Sequence, residues 1–458
     1  MISAAPGLFG ELFVDSEMAA VFDDRATLQG MLDFEAALAR AEAEVGVISL
    51  QAATVIATQC DAAFYNPAEI GQAATLAGNP AIPLVKALIA RVAAQDPEAA
   101  KWVHFGATSQ DVIDSGAAQQ YKSAQELLLK RSARLAHALA RLARAHRHTP
   151  MIGRTFLQQA VPISFGIKAA QWLNPILTYH DQFMIYGTVP HQLGGAAGTL
   201  ASLGDRAEAV LEIFARTMPS IGAVLYPSHT ARYRLVMSAA QLGALVGHLG
   251  KIAQDVALMA QTEIAELAEP EAPGKGGSSA MPHKRNPVLC TLILSAAKRA
   301  PGLVSTMLAC MPQEHERAMG GWHAEWRTMA ELFRLSGAAL NQAVTLIEGL
   351  QVFPESMRRN LDLTNGLVMA ERVSLALAET LGRSAAHHAL EDASRRCVAS
   401  GRHLREVIGE DPAISNKLTP AELDALFDPA TYRGASDSII DRILALYEEE
   451  REHMSPHG

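Results

Sequence analysis

The chain of 458 residues contains few cysteines, few aromatic residues and no concentrated positive charge. Its four cysteines, Cys60, Cys290, Cys310 and Cys397, lie far apart with no CxxC spacing, which argues against a zinc site and against a disulfide framework. The net charge is -9 and no run of Lys or Arg occurs, so the sequence lacks the basic stripe of a nucleic-acid or membrane-surface binder. An anionic substrate would therefore need local cations.

The sequence also offers no segment typical of targeting or of membrane insertion. The N-terminal residues MISAAPGLFGEL lack a positive region followed by a long apolar core, so we do not expect a secretory signal. The apolar stretch 235–260 is interrupted by Gln241, His248, Lys251 and Asp255, which favours a buried helix over a membrane span. Free thiols fit a reducing compartment, and we expect a cytoplasmic protein.

What the sequence does contain favours helix. Ala and Leu dominate, while aromatic residues make up only 5%. Leucines at 128, 135, 139 and 142 recur at helical spacing with arginines between them, which predicts a long amphipathic helix. Apolar residues three or four apart from Leu242 to Met259 predict a helix packed among other helices. The residues Thr419-Pro420-Ala421-Glu422 predict a capping box that starts a short helix through Leu426.

No segment of comparable length alternates with period two, so the pattern predicts an all-α fold. The length suits about three domains of roughly 150 residues each. A loop near residue 104 and a polar stretch near residue 354 divide the chain. We expect an N-terminal helical domain at 1–112, a long central helical bundle at 113–355 and a C-terminal helical domain at 356–458.

The segment 274–287, GKGGSSAMPHKRNP, is the strongest candidate for chemistry. Its glycines let the backbone approach a ligand closely, and Lys284, Arg285 and Asn286 supply donors for carboxylate oxygens. GKGGSS lacks the GxxxxGK[ST] order of a phosphate-binding loop. From spacing alone, a solvated Gly/Ser loop followed by a basic surface turn remains an open alternative.

The string GSSAMPHKRNP at 277–287 resembles the signature loop of the fumarase/aspartase superfamily, whose members act on small polycarboxylates. The resemblance implies an all-α three-domain fold with a long central bundle. It implies that Ser278 is the general base and that Lys284 and Asn286 bind the substrate carboxylate. His283, inside the same loop, is a further expected substrate contact.

Two other stretches carry the same resemblance. Residues 104–111, HFGATSQD, are similar to the superfamily's substrate loop, although alone they would favour a helix N-cap. Residues 153–159, GRTFLQQ, are similar to its GRTHxQ segment, except that Phe156 stands where the histidine should be. The substrate-binding residues that we expect outside the signature loop are Asn79, His104, Thr108, Ser109, Gln110, Thr155 and Gln158.

This departure at Phe156 predicts the type of reaction. In the eliminating members, hydroxide or an amine leaves from the carbon β to a carboxylate and needs a proton from an acid, the usual role of the histidine. Phe156 cannot donate a proton, and Thr291 stands where the superfamily usually places a Glu that pairs with that histidine. A carboxylate leaving group, with a pKa near about 4, needs no such acid. The two residues therefore favour lactone formation.

Residues 30–40, 311–317 and 321–326, reading GMLDFEAALAR, MPQEHER and GWHAEW, resemble the bacterial 3-carboxy-cis,cis-muconate cycloisomerases, the lactonizing enzymes of protocatechuate degradation. The resemblance implies an intramolecular conjugate addition of a carboxylate through an enolate-like intermediate, with no cofactor and no metal. It also implies a homotetramer whose active sites are shared between subunits. Lys284 and Arg317 are the expected catalytic cations, because fixed cations stabilise developing negative charge.

Several alternatives stay open at this point. Arg317 could instead be an exposed helix residue paired to Glu314 or Glu316. A 3-sulfomuconate cycloisomerase, an adenylosuccinate-type lyase or a non-catalytic structural protein on the same fold would share the signature loop. His315 and His323 lie near carboxylates, but their spacing matches no metal motif.

Overall fold

The computed structural model describes residues 8–186, 189–218, 227–271, 281 and 284–454. Helices account for most of this part of the chain. The first of them are α1 (Ser16–Val21), α2 (Asp24–Val45), α3 (Leu50–Thr58), α4 (Pro67–Ala77), α5 (Ala81–Ala93), α6 (Pro97–Ala100) and α7 (Ser109–Ala145). The middle of the chain forms α8 (Phe165–Tyr186), α9 (Ala207–Thr217), α10 (Tyr233–Met259), α11 (Val288–Ala309) and α12 (Gly321–Glu348).

The C-terminal part is made of shorter helices. These are α13 (Pro354–Leu361), α14 (Ala370–Leu381), α15 (Arg383–Ser400), α16 (Leu404–Gly409), α17 (Pro412–Ser415), α18 (Pro420–Leu426) and α19 (Ser436–Met454). Two antiparallel pairs of strands accompany the helices: β1 (Pro150–Thr155) with β2 (Gln158–Ser164), and β3 (Leu267–Ala268) with β4 (Gln351–Val352).

The helical predictions are confirmed. Helix α7 covers the leucine pattern from 128 to 142, and α10 covers the stretch from Leu242 to Met259. Helix α18 begins after a complete capping box, in which Thr419 and Glu422 bond each other's backbone N–H groups, and it ends at Leu426. The four cysteines are free and buried.

The described chain forms two compact units, each assembled from separate segments. Unit 1 contains residues 1–131, 179–250 and 292–342, and unit 2 contains residues 132–178, 251–291 and 343–458. The division into three domains with boundaries near 112 and 355 stays a prediction.

Close packing between α2 and α7 organises unit 1. A Cβ atom on Gly30 of α2 would lie 2.8 Å from the carbonyl oxygen of Gly116 of α7, a contact that only glycine allows. The core around this crossing includes Phe34, Leu84 and Phe214, all fully buried. The two helices are thus held backbone to backbone, and the loop that leads into α7 starts from a rigid base.

Unit 2 has its own apolar core and a set of ion pairs. Val373, Leu377 and Ile408 are fully buried within the C-terminal helices. Arg147, in the turn that follows α7, donates to Asp441 of α19 at 2.6 Å. These contacts tie α19 to the rest of the unit.

Two described helices are long and apolar enough to cross a membrane by length and composition alone, α10 and α11. In α10, 61% of the most apolar window is buried inside the protein, as in a core helix, whereas in α11 the share is 22%. Two such helices are weak evidence for a membrane protein, because buried core helices pass the same test.

Candidate active site

In unit 1, one buried carboxylate organises the loop that precedes α7. Asp111, fully buried, accepts hydrogen bonds from the backbone N–H groups of Thr108 at 3.0 Å and of Gly194 and Gly195 at 2.9 Å. Its Oδ1 atom also lies 2.7 Å from Nε2 of His229, which is itself buried. Four donors satisfy this buried charge, so the substrate-loop segment and the glycine-rich segment form one rigid assembly.

Arg317 completes this assembly. It lies in the turn before α12, and one guanidinium nitrogen donates to Oγ1 of Thr108 at 2.6 Å. A second nitrogen donates to the carbonyl oxygen of Ala196 at 3.0 Å. Every acceptor is neutral, and the buried Nε atom has no partner among the described residues. The cation is therefore fixed in place while its charge stays available to an anion.

The alternative for Arg317, a helical position paired to a neighbouring glutamate, does not match this geometry. Arg317 lies outside any helix. The Glu314 carboxylate instead accepts from the backbone N–H of Met319 at 3.0 Å. No ion pair of Arg317 with Glu314 or Glu316 is found in the described part of the chain.

His104 lies in the same loop, at its start. Its backbone is in the left-handed region, with φ of +63°, and its Nδ1 atom lies 2.6 Å from Oε1 of Glu35 on α2. Burial lowers the pKa of His104, but the hydrogen-bonded Glu35 carboxylate outweighs burial and, with a smaller contribution from Asp111, raises it above the ordinary value. The Glu35 carboxylate therefore favours the protonated form of the ring.

Arg232 in unit 1 is buried, unlike the half-buried Arg317, and carboxylates cancel its charge. It directly precedes α10 and donates to Asp114 at 2.7 Å and to Glu325 at 3.1 Å. Trp322 also donates to Asp114, at 2.8 Å. Asp114, Arg232 and Glu325 line a cavity of about 230 Å³ whose other walls are mostly apolar. The buried ion pairs join α7, the segment just before α10, and α12.

Three of the expected substrate contacts in unit 1 also serve the fold. The Asn79 side chain accepts from the backbone N–H groups of Ala81 and Ile82, at 3.1 and 3.2 Å, and so caps α5. Gln110 is fully buried and donates to the carbonyl oxygen of His229 at 2.8 Å. Ser109 is the first residue of α7. A substrate contact by any of these three stays a prediction.

In unit 2, Thr155 and Gln158 face each other across the turn between β1 and β2. The two turn residues between them, Phe156 and Leu157, have φ of +49° and +63°. Such values are uncommon for bulky side chains. Phe156 is 100% exposed and Leu157 73% exposed, so an apolar pair is held at the hairpin tip in a strained conformation.

A buried ion pair braces this hairpin. Arg154 donates two hydrogen bonds of 2.8 Å to Glu266, which is 0% exposed. Asn360 of α13 donates to the same carboxylate at 2.8 Å and accepts, through its carbonyl oxygen, from Gln159 at 3.0 Å. Arg154 therefore holds a structural position, because its charge is used inside the unit.

The described end of the signature loop lies in unit 2 and leads into α11, whose first turn, 288–291, also belongs to that unit. Glu269 accepts from the backbone N–H groups of Leu289 and Cys290, at 3.1 and 2.8 Å, at the positive end of the helix. Lys284 is exposed and Asn286 half-buried, and no ion pair of Lys284 is found among the described residues. Ser278 and His283 lie outside the described residues.

Thr291, which stands where the superfamily usually has a glutamate, is engaged in its own helix. Its hydroxyl donates to the carbonyl oxygen of Pro287 at 2.8 Å. Neither Thr291 nor the exposed Phe156 supplies an acidic proton near neutral pH.

Sequence reasoning missed Asp111, Glu35 and Arg232. Asp111 is the last residue of the HFGATSQD string, and its position shortly after Thr108 and Ser109 could have indicated a role at the start of α7. Glu35 lies within α2 and Arg232 just before α10, where the local pattern predicts only burial or exposure, and their partners are 69 and 93 to 118 residues away. Their roles come from long-range contacts that the local sequence does not encode.

Comparisons with known proteins identify the family to which this chain belongs. A family model described as Lyase matches residues 14–302, and a model of the adenylosuccinate lyase C-terminus matches residues 366–443. The chain belongs to this lyase family, within the fumarase/aspartase superfamily.

Its relatives within that family are more specific. A 3-carboxy-cis,cis-muconate cycloisomerase of Pseudomonas aeruginosa is 51% identical over 444 residues, which is 96% of both chains. One of Bradyrhizobium diazoefficiens is 47% identical over 452 residues, 98% of this chain and 100% of the relative. The crystal structure of the 3-carboxy-cis,cis-muconate lactonizing enzyme from Pseudomonas putida has a TM-score of 0.92 at 45% identity, covering 96% of this chain and 99% of that one.

These findings confirm the family and the all-α fold predicted from the signature loop and the three stretches near 30, 311 and 321. They favour the cycloisomerase over the adenylosuccinate-type lyase and the sulfomuconate enzyme. The assignment of individual site residues stays a prediction.

Proposed function

We propose that this chain converts 3-carboxy-cis,cis-muconate to a carboxymuconolactone, a step in the degradation of aromatic compounds. One carboxylate of the substrate adds to an activated double bond of the same molecule, and the resulting enolate-like intermediate is protonated at the carbon next to a carboxylate. The observation that carries the proposal is the arrangement of Arg317. Its guanidinium is fixed by neutral acceptors alone, which suits the stabilisation of an added negative charge.

Each residue of the proposed site has a role that follows from its chemistry. Arg317 and Lys284 stabilise the enolate-like charge, since cations aimed at developing charge give the largest catalytic effect. Asn286 donates hydrogen bonds to a substrate carboxylate. Ser278 is the proposed proton-transfer group. Thr108 holds Arg317 through its hydroxyl oxygen.

The expected contacts in the other loops complete the site. We assign substrate-binding roles to Asn79, His104, Ser109, Gln110, Thr155, Gln158 and His283. All of them carry hydrogen-bond donors that suit the carboxylate groups of a small anionic substrate.

The side chains at positions 156 and 291 support this reaction over an elimination. Phe156 has no proton to donate, and the hydroxyl of Thr291 is bonded to Pro287. An elimination that expels hydroxide or an amine needs an acid. Ring closure by a carboxylate does not, because the group that attacks, or leaves in the reverse direction, is already anionic at neutral pH.

We further propose that the enzyme is a cytoplasmic homotetramer whose active sites draw residues from different subunits. Support comes from α11, which is mostly apolar although only 22% of its most apolar window is buried within the chain. An apolar helix exposed to this degree needs a cover, and other copies of the same helix supply one in a bundle. An active monomer, detected by light scattering with a simultaneous assay, would contradict this part of the proposal.

The reaction is tested by following the ultraviolet absorbance of 3-carboxy-cis,cis-muconate with purified protein in metal-free buffer. We expect loss of the conjugated diene and formation of a lactone. Lys284→Ala should abolish turnover, whereas Lys86→Ala, which removes an exposed lysine on α5, should leave it unchanged. An unchanged diene, together with turnover of adenylosuccinate, would contradict the proposal.

A further inference from the structure

Two carboxylates are buried on the same face of α2. Glu35 is 1% exposed and Glu42 is 0% exposed, and their spacing of seven residues places them two turns apart. Oε2 of Glu35 and both carboxylate oxygens of Glu42 are buried with no hydrogen-bond partner among the described residues. Since an unpaired buried charge is strongly destabilising, the presence of both groups requires an explanation.

Glu42 avoids this cost by staying protonated. Burial, together with the nearby Glu35 carboxylate, raises the pKa of Glu42 to about 9. At neutral pH Glu42 is therefore uncharged. Of these two glutamates, Glu35 then supplies the negative charge. Its Oε1 atom lies 2.6 Å from Nδ1 of His104.

The geometry at His104 is constrained in three ways. Its backbone has φ of +63°, in the left-handed region that is uncommon for a residue with a side chain. The hydrogen bond between Nδ1 and the Glu35 carboxylate fixes the orientation of the ring. The side chain keeps 20% exposure, and no partner of its Nε2 atom is found among the described residues. Strain that persists with an open donor atom is typical of functional positions.

We propose that Glu35 is a positioning residue for substrate binding: it holds the His104 ring so that Nε2–H is presented to a carboxylate group of the substrate. The inference rests on the proposed function, because it assigns the recipient of that hydrogen bond. The Glu35 carboxylate accepts from Nδ1–H and favours the doubly protonated ring, in which Nε2 also carries a hydrogen and can donate it. The packing of Gly30 against Gly116 supports the arrangement, since it fixes α2 against the helix that the His104 loop enters.

The two glutamates provide a matched pair of variants. Glu35→Gln keeps the size of the side chain and removes the charge that faces the ring. We expect KM for 3-carboxy-cis,cis-muconate to rise roughly tenfold to a hundredfold with little change in kcat, as for the loss of a charge-assisted hydrogen bond made equally in ground and transition states. Glu42→Gln replaces a group that is already neutral, so KM and kcat should stay within twofold of the wild type.

A double-variant cycle separates positioning from packing. His104→Gln should raise KM as Glu35→Gln does, and the double variant should be no worse than His104→Gln alone. The proposal is wrong if KM of Glu35→Gln stays within twofold of the wild type. Additive effects in the double variant, or an equal rise in KM for Glu42→Gln, would overturn it as well, because both outcomes indicate a general disturbance of α2.

A second measurement does not depend on turnover or on the folding of Glu35→Gln. The His104 ring is followed by NMR in the full-length wild-type protein and assigned by its loss in His104→Gln. A ring pKa above the ordinary value of about 6.5 supports the pairing, and a value at or below it overturns the proposal. If muconate is not turned over but the ring pKa is raised, the proposed function fails while the Glu35–His104 pairing stands.

Discussion

Arg317 in unit 1 and Arg154 in unit 2 are both ordered by hydrogen bonds, but their surroundings differ in charge. Arg154 meets the buried carboxylate of Glu266 in two hydrogen bonds of 2.8 Å. Among the described residues, the acceptors of Arg317 are a hydroxyl and backbone carbonyl oxygens. The comparison teaches that order alone does not identify a functional arginine. The useful criterion is whether the protein itself cancels the charge.

We expect the largest effect on stability at Arg154, whose charge is cancelled by the buried carboxylate of Glu266. Arg154→Met leaves Glu266 fully buried, with the Asn360 amide as its remaining side-chain donor in the described part of the chain. The free energy of unfolding should therefore fall by about 3 to 5 kcal/mol. Denaturant unfolding measures this change. Arg285→Met provides the control, because Arg285 and its partner Glu271 are both more than half exposed, and such surface pairs contribute about 0 to 1 kcal/mol.

Two further outcomes sharpen this prediction. The double variant Arg154→Met with Glu266→Gln should recover part of the lost stability, since it removes the unpaired charge. If Arg154→Met is as stable as Arg285→Met, then the Arg154 pair is not structural and the contrast with Arg317 fails.

A smaller loss of stability is expected on replacing Asp111, which fixes the backbone of Thr108, the hydroxyl partner of Arg317. Asp111→Asn places an amide group against N–H donors, so it should lower the free energy of unfolding by about 2 to 3 kcal/mol and reduce kcat/KM by displacing Thr108. Asp23→Asn is the matched control, because Asp23 is an exposed N-cap of α2 and asparagine caps equally well. Equal stabilities of the two variants would show that the buried carboxylate does not organise the loop.

Much of the fold could be predicted from the sequence, because the signals for these helices come from residues that are close together in the chain. The leucine spacing of α7, the apolar pattern of α10 and the capping box at Thr419 all depend on residues within a few turns of each other. The β1–β2 hairpin was not predicted. Its strands are short, β1 contains an irregular register between Ile152 and Arg154, and its turn carries Phe156 and Leu157 in place of the expected glycine or asparagine.

In the candidate site, too, residues in contiguous motifs could be predicted, whereas contacts between distant segments could not. The signature loop and the HFGATSQD string are contiguous motifs, so residues such as Lys284 and Thr108 could be named from the sequence. The partners that set their electrostatics come from distant segments: Glu35 is 69 residues from His104, and Thr108 is 209 residues from Arg317. A motif can therefore identify the groups of a site, whereas burial and pairing decide which of them keep a charge.

The measurement that tests this account most directly is kcat/KM of Arg317→Gln for 3-carboxy-cis,cis-muconate, read as loss of diene absorbance. We expect a fall of about 10² to 10³, as for the removal of one donor to a developing negative charge. Thermal stability should be nearly unchanged, because no carboxylate pairs with Arg317 in the described part of the chain. Arg317→Lys should recover only part of the rate, since one ammonium cannot reproduce the planar fork. A variant that keeps kcat/KM within threefold of the wild type would contradict the account, because the uncompensated charge would then have no part in the reaction.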